Sequence, residues 1–112
     1  QAEAIFEGFF KALKPGGILG VVEHRGDAAV PQDAEAKSGY VNQEYAIALA
    51  KKAGFVFEAA SEINANPKDT KKHRDGVWTL PPTYSSVNDE EKESYSEIGE
   101  SDRFTLKFRK PE

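Results

Sequence analysis

Hydrophobic residues at the start of the chain recur at intervals of three and four. They fall at positions 2, 5, 6, 9, 10 and 13, which is the spacing of one apolar helix face. Pro15, Gly16 and Gly17 follow, and such residues end helices because proline lacks an amide donor and glycine accepts a left-handed conformation. The pattern predicts a helix over 2–13. No capping residue precedes it, so we expect that a longer parent chain contains this helix.

The next segment, ILGVVE at 18–23, is a short and almost unbroken apolar run. Such runs are typical of strands in parallel sheets that helices cover on both sides. We therefore expect a strand buried on both faces, ending abruptly in charged residues. The polar stretch 27–39 is expected to form a loop, with at most a short helical turn.

Two further elements follow the loop. Asn42 suits the N-cap of a second helix that runs to Ala53, and Gly54 suits its end. The expected buried face of that helix comprises Tyr45, Ala46, Leu49, Ala50 and Ala53. A strand is expected over 55–63.

The last element, 103–109, alternates strictly between polar and apolar residues. This pattern predicts an antiparallel strand with one wet face. The insert 64–101 before it is too long to lack structure in a compact domain. Within the insert, 88–98 is rich in glutamate and suits a short solvated helix, and 71–74 is a basic patch in which His73 is expected to be solvated.

Composition narrows the function classes. At 112 residues the chain suits one modest domain. Its 15 basic and 19 acidic residues give a net charge of −4, and no basic stripe points to nucleic acid. No apolar run is long enough to span a bilayer, so a membrane partner is not expected. Zero cysteines and two distant histidines offer neither disulfides nor a metal-ligand spacing.

The chain has no methionine and begins with Gln1. We therefore do not expect Gln1 to be a natural start. A cytoplasmic location is expected, with a signal peptide upstream as the open alternative.

The segment FFKALKPGGIL at 9–19 resembles the turn before the fifth strand of class I, Rossmann-like methyltransferases that use S-adenosylmethionine. Later segments are similar to a branch of bacterial proteins predicted to be methyltransferases, whose substrates are poorly defined: GY at 39–40, AGF at 53–55, EINANPKDT at 62–70, GVWTLPP at 76–82 and IGESDR at 98–103. The resemblance covers nearly the whole chain. It implies an α/β fold, in which 1–112 form a single partial domain, the C-terminal half of the methyltransferase sheet.

The chain departs from that family in its cofactor motif. This sequence lacks the family's glycine-rich turn after the first strand and its acidic residue at the end of the second strand. Gly16 and Gly17 do not replace the turn, because they precede a strand, whereas the cofactor turn follows one. The resemblance thus implies S-adenosylmethionine as cofactor of the intact parent and no cofactor for this chain alone. The expected function is the C-terminal part of a methyltransferase for an unknown small acceptor, inactive by itself. The alternatives are a non-enzymatic self-associating or interaction module and a truncated product without activity.

Candidate site residues follow from the rule that open α/β sheets bind ligands beyond the carboxyl ends of their strands. His24, directly after 18–23, is the candidate general base because imidazole titrates near neutrality; a polar strand end with local salt bridges is the alternative. The candidate substrate-binding residues are Glu23, Arg25, Tyr40, Asn42, Asn66 and Trp78.

Two of these candidates have simpler alternatives. Asn42 is also a plain helix cap. Trp78 together with 64–70 suits a lid over the acceptor, or else a hairpin extension in which Trp78 is a core aromatic.

The resemblance also implies how the strands pair. The strand 18–23 would lie beside 103–109, which would also pair with 55–63, and its other edge would be open. Open apolar edges invite pairing, and symmetric dimers are the commonest closed assembly. We therefore expect a homodimer or higher homo-oligomer that buries Val21, Val22, Phe6 and Phe9.

Overall fold

The computed structural model describes residues 2–33 and 35–112. It contains three helices, α1 (Ala2–Ala12), α2 (Gln43–Ala53) and α3 (Asp89–Ile98), and three strands, β1 (Ile18–His24), β2 (Val56–Ser61) and β3 (Arg103–Arg109). A short 3-10 helix covers Gly76–Thr79. Across the described ranges, no helix has the length and apolar character needed to cross a membrane.

The three strands form one sheet in the order β1-β3-β2. β3 runs antiparallel to both neighbours, with Leu106 opposite Val21 of β1 and Ala60 of β2. β1 and β2 are therefore parallel to each other. The α/β class, the pairing of the three strands and the antiparallel last strand are confirmed.

The core lies on one side of β3. Its apolar side chains, Phe104, Leu106 and Phe108, are at most 1% exposed. They pack with Phe55 and with one face of α2, formed by Ala46, Ile47 and Ala50. Phe10 of α1 meets Phe55 edge-to-face at 5.1 Å between ring centroids. The polar side of β3 carries the exposed Lys107, so the predicted wet face is confirmed.

β1 is not buried on both faces, and that expectation is wrong. Leu19 and Val21 pack against the core, but Ile18 is 43% and Val22 49% exposed. The reason is that α1 and α2 cover the core side of the sheet, and β1 has a strand neighbour on one edge only among the described residues.

The ends of the second helix and second strand differ in detail from the prediction. Gly54 ends α2 in the left-handed region at φ 116°, as predicted. Asn42 occupies the N-cap position, but its side chain makes no cap hydrogen bond. Its Nδ2 instead donates to the Val30 carbonyl at 2.9 Å, so the predicted N-cap position is confirmed without a side-chain cap hydrogen bond. β2 is shorter than 55–63 because Phe55 turns into the core before it, whereas Ile63 is exposed after it.

The insert 64–101 packs onto the loop before α2. Gly76 has φ +60°, and a Cβ there would lie 2.1 Å from the Ser38 carbonyl oxygen. The Val77 N–H donates to the same oxygen at 3.0 Å, so only glycine allows this approach. At the far end of the insert, Asn88 and Glu91 form a capping box for α3, which confirms the predicted solvated helix.

Candidate functional site

The carboxyl end of β1 opens on a pocket of about 150 Å³, here called the His24 pocket. Its lining comprises His24, Val77, Trp78, Pro81, Pro82, Thr83, Glu100 and Ser101. The structure thus brings together two of the candidate residues, His24 and Trp78, which come from β1 and from the 3-10 helix of the insert. None of the residues 64–70 lines this pocket.

His24 is held at one ring nitrogen. Its Nδ1 forms a short hydrogen bond with the Ser101 hydroxyl. Partial burial lowers the pKa of His24, and the Arg103 charge acts in the same direction, against the charges of Glu23 and Asp69. The neutral imidazole therefore predominates at pH 7. A neutral ring has one donor and one acceptor nitrogen, so Nε2 takes the role complementary to that of Nδ1.

Trp78 is 47% exposed, so its alternative role as a core aromatic is wrong. The indole ring packs over Gly39, where an added Cβ would lie 3.2 Å from the ring and 2.6 Å from Val77. Gly39 therefore lets the loop support the inner side of the indole and leaves the rest of the ring free at the pocket.

Beside this pocket a buried carboxylate organises what we call the Asp69 network. The Tyr40 hydroxyl lies 2.8 and 2.9 Å from the two Asp69 oxygens, and His73 Nε2 lies 2.8 Å from Oδ1. The N–H groups of Lys71 and Asp102 also donate to the carboxylate, at 2.9 and 3.0 Å. The His73 side chain is only 5% exposed, so its expected solvation is wrong.

The pKa values in this network follow from burial and hydrogen bonding. Burial by itself raises the pKa of Asp69, but the bonds from the Asp102 amide, Tyr40, His73 and the Lys71 amide outweigh it and hold the pKa below its usual value. Burial and the neighbouring Asp69 charge raise the pKa of Tyr40 well above its usual range. The network therefore holds a charged carboxylate beside a neutral phenol.

Arg25 and Asn66 take part in structural contacts. Arg25 pairs with Glu62, which raises the pKa of Arg25 and lowers that of Glu62, and its Nε lies 3.5 Å from Asp102 Oδ2. Asn66 Nδ2 donates to the carbonyls of Ile98 and Glu100 at 2.6 and 2.7 Å. The predicted local salt bridges at the end of β1 are thus present, alongside the pocket.

The other candidates lie elsewhere. Tyr40 and Asn42 line a separate pocket of about 120 Å³ that shares no residue with the His24 pocket. Glu23 is exposed and lines an apolar groove of about 380 Å³ between α1, β1 and α2. The groove is formed mainly by Phe6, Phe9, Leu19, Val21, Tyr45 and Leu49.

Asp69 and Ser101 were not predicted from the sequence. Ser101 pairs with the distant His24, and Asp69 joins the nearby Lys71 and His73 to the distant Tyr40 and Asp102, so spacing alone gave no signal for either residue. In the described part of the chain no three histidine, cysteine or acidic side chains are placed to hold a metal ion.

Comparisons with protein-family models, curated proteins and solved structures found no significant match to this chain. The methyltransferase relation therefore stays a prediction.

Proposed function

We propose that the chain is the C-terminal part of an S-adenosylmethionine-dependent methyltransferase of the Rossmann-like class, which acts on a small acceptor and needs further residues for activity. The main support is the sheet. β3 lies antiparallel between two mutually parallel strands, which is the arrangement that the resemblance of 9–19 and the later segments implies for the end of that fold. A cytoplasmic location belongs to the same proposal.

The His24 pocket supports an acceptor site at this edge of the sheet. It lies at the carboxyl end of β1, where open α/β sheets bind ligands. A neutral imidazole with one nitrogen held by Ser101 suits a base that takes the proton of an acceptor hydroxyl. Holding the acceptor in a fixed orientation would supply much of the rate enhancement.

The glycine turn of this chain does not fit a cofactor. The Gly16 N–H donates to the Lys110 carbonyl at 2.7 Å and the Gly17 N–H to the Lys14 carbonyl at 2.8 Å. Both amides are therefore occupied, whereas a nucleotide-type loop offers free N–H groups at the start of a helix. We therefore assign cofactor binding to residues of the parent that lie outside this chain.

The proposal is tested by calorimetry with S-adenosylhomocysteine, the demethylated product of the cofactor. This chain is compared with the protein extended upstream to its initiator methionine. We expect micromolar binding by the extended protein and no measurable heat with these 112 residues. Absence of binding by the extended protein would overturn the methyltransferase assignment, and tight binding by this chain would overturn the division of roles.

A second candidate function is a self-associating module. The specific observation in its favour is the edge of β1 next to the apolar groove, which is open up to the point where the Val41 N–H donates to the His24 carbonyl at 2.8 Å. Ile5, Phe9 and Val22 beside it are between 43% and 54% exposed. Its occupant would be a second copy of this chain. Measuring the oligomeric state of the chain and of variants at this edge tests this candidate, because a monomeric chain would contradict it.

A further inference from the structure

We infer that the His24 pocket binds a single neutral aromatic ring that carries a hydroxyl group, with the ring against Trp78 and the hydroxyl at His24. This inference rests on the proposed function, because it names the acceptor class of the same site. It does not need the cofactor to be tested.

The size of the pocket limits the ligand to one ring. Its volume is about 150 Å³, and an engineered cavity of about that size in another protein binds benzene. A fused two-ring system or a long flexible chain would extend beyond the lining residues. The volume therefore favours a substituted benzene ring.

The walls favour a flat apolar ligand. Trp78, which is 47% exposed as a residue, lines the pocket, and Pro81 and Pro82 add rigid apolar surfaces to the lining. Aromatic rings prefer offset-stacked or edge-to-face contacts with an indole. A saturated ring of the same volume lacks the π-system that makes these contacts.

The charges at the pocket favour a neutral ligand. Glu100 is the only acidic residue in its lining, and it is paired with Arg103 at 3.1 Å. The neutral form of His24 predominates at pH 7 because burial lowers its pKa. An ammonium ligand would thus find the aromatic surface and one carboxylate that already pairs with Arg103, and a carboxylate ligand would find no cationic residue in the lining.

The polar atom that would recognise a hydroxyl is His24 Nε2. Ser101 occupies Nδ1, and within 2–33 and 35–112 Nε2 has no hydrogen-bond partner. A phenolic hydroxyl both donates and accepts, so it matches Nε2 in either tautomer. In the tautomer whose Nδ1 carries the proton and donates to Ser101, the same contact would place the acceptor proton at the unprotonated Nε2.

The test uses Trp78 itself, which is the only tryptophan of the chain. Its indole N–H gives a single peak in a ¹H–¹⁵N NMR spectrum. The ¹⁵N-labelled chain is titrated with phenol, benzene, cyclohexanol, benzylamine and benzoate. We expect a saturable shift with phenol, with a dissociation constant on the order of millimolar for so small a ligand. Cyclohexanol should bind up to roughly tenfold more weakly than phenol.

Variants separate the hydrogen bond from the ring contact. In His24→Phe, whose side chain cannot hydrogen-bond to the ligand, the preference for phenol over benzene should fall at least about fivefold. In His24→Gln the preference should fall less, because the amide can still form a hydrogen bond. Val56→Thr, an exposed position on β2 that does not line this pocket, is the control and should bind as the unmodified chain does. Dispersion of the amide spectrum verifies the fold of each variant.

The outcomes distinguish this inference from the proposed function. No saturable shift with phenol, or tighter binding of benzylamine or benzoate, would overturn the inference, even if the extended protein binds S-adenosylhomocysteine. A phenol-specific shift supports the ring site whichever result the calorimetry gives.

Discussion

Asp69 is the residue on which the insert depends most. Its carboxylate accepts hydrogen bonds from the Tyr40 hydroxyl, His73 and the amides of Lys71 and Asp102, and its side chain is fully buried. A buried charge is tolerated when its lone pairs are satisfied in this way. The carboxylate therefore joins the loop before α2, the insert and the start of β3.

We predict that Asp69→Asn lowers the free energy of unfolding by about 3 kcal/mol at neutral pH, because an amide has one acceptor oxygen in place of two and leaves buried donors without a partner. The pKa of Asp69 is lower in the folded chain than its usual value, so its contribution is present at neutral pH. That contribution disappears as the pH falls from about 4, the unfolded value, through the folded value. Urea unfolding at neutral and acidic pH measures both effects. The control is Asp33→Asn, because Asp33 is an exposed carboxylate that also accepts backbone hydrogen bonds. This variant should change stability little, and equal effects of the two variants would contradict the role of burial.

For single residues, the sequence predicted part of the candidate site. His24 was found because it directly follows an apolar run, and Trp78 because its segment of the insert suits a lid over the acceptor. His73 was misjudged because its neighbours are Lys72 and Arg74, whereas its partner Asp69 lies four residues earlier, outside any helix, and is buried. Burial of this pair depends on contacts with distant residues, which leave no local pattern.

At the scale of elements, α3 is held by its own capping more than by the core. It has no buried residue. Asn88 and Glu91 satisfy each other's amides, and Tyr95 meets His73 edge-to-face at 5.9 Å between centroids. Since so little packing supports the helix, its first turn carries much of its local stability.

We expect Asn88→Ala to lower the free energy of unfolding by about 1 kcal/mol, the usual effect of removing an N-cap. Asn88→Ser should retain most of the stability because serine accepts the same amide hydrogen bond. Thermal unfolding measures the difference, with the exposed mid-helix variant Glu93→Ala as control. A loss in the control as large as that in Asn88→Ala would show that the capping box is unimportant.

Elements with a strong internal pattern were predicted correctly, and those whose environment depends on neighbours were not. β3 shows its alternation in the sequence, and Asn88 and Gly54 mark helix ends locally. β1 has an apolar sequence suited to two covered faces, yet Ile18 and Val22 lie in the open. The composition of a strand indicates which surroundings it would suit. Among the described residues, β1 is covered on only part of its surface, so two of its apolar side chains stay exposed.

The whole molecule exposes more surface than its size requires. Its accessible surface is 7103 Å², whereas a compact monomer of 12.3 kDa has about 6100 Å². Its radius of gyration is 15.8 Å, against about 13 Å for a compact chain of this length. The excess of about 1000 Å² is comparable to one side of a standard protein interface, and the apolar groove beside β1 is where such a partner surface would lie.

The edge of β1 beside the apolar groove is the expected site of assembly. We expect the chain to self-associate at micromolar concentration, because the open edge of β1 and the groove give a second copy both backbone partners and apolar surface. Val22→Lys should shift the chain to the monomer, since a charge on an edge strand opposes pairing. Val56→Lys is the matched control, because Val56 is similarly exposed (52% against 49%) on the opposite edge of the same sheet, and it should leave the oligomer intact. Light scattering during size-exclusion chromatography gives the mass of each species. If the unmodified chain is a monomer, or if Val56→Lys disrupts the oligomer and Val22→Lys does not, the β1 edge is not the interface.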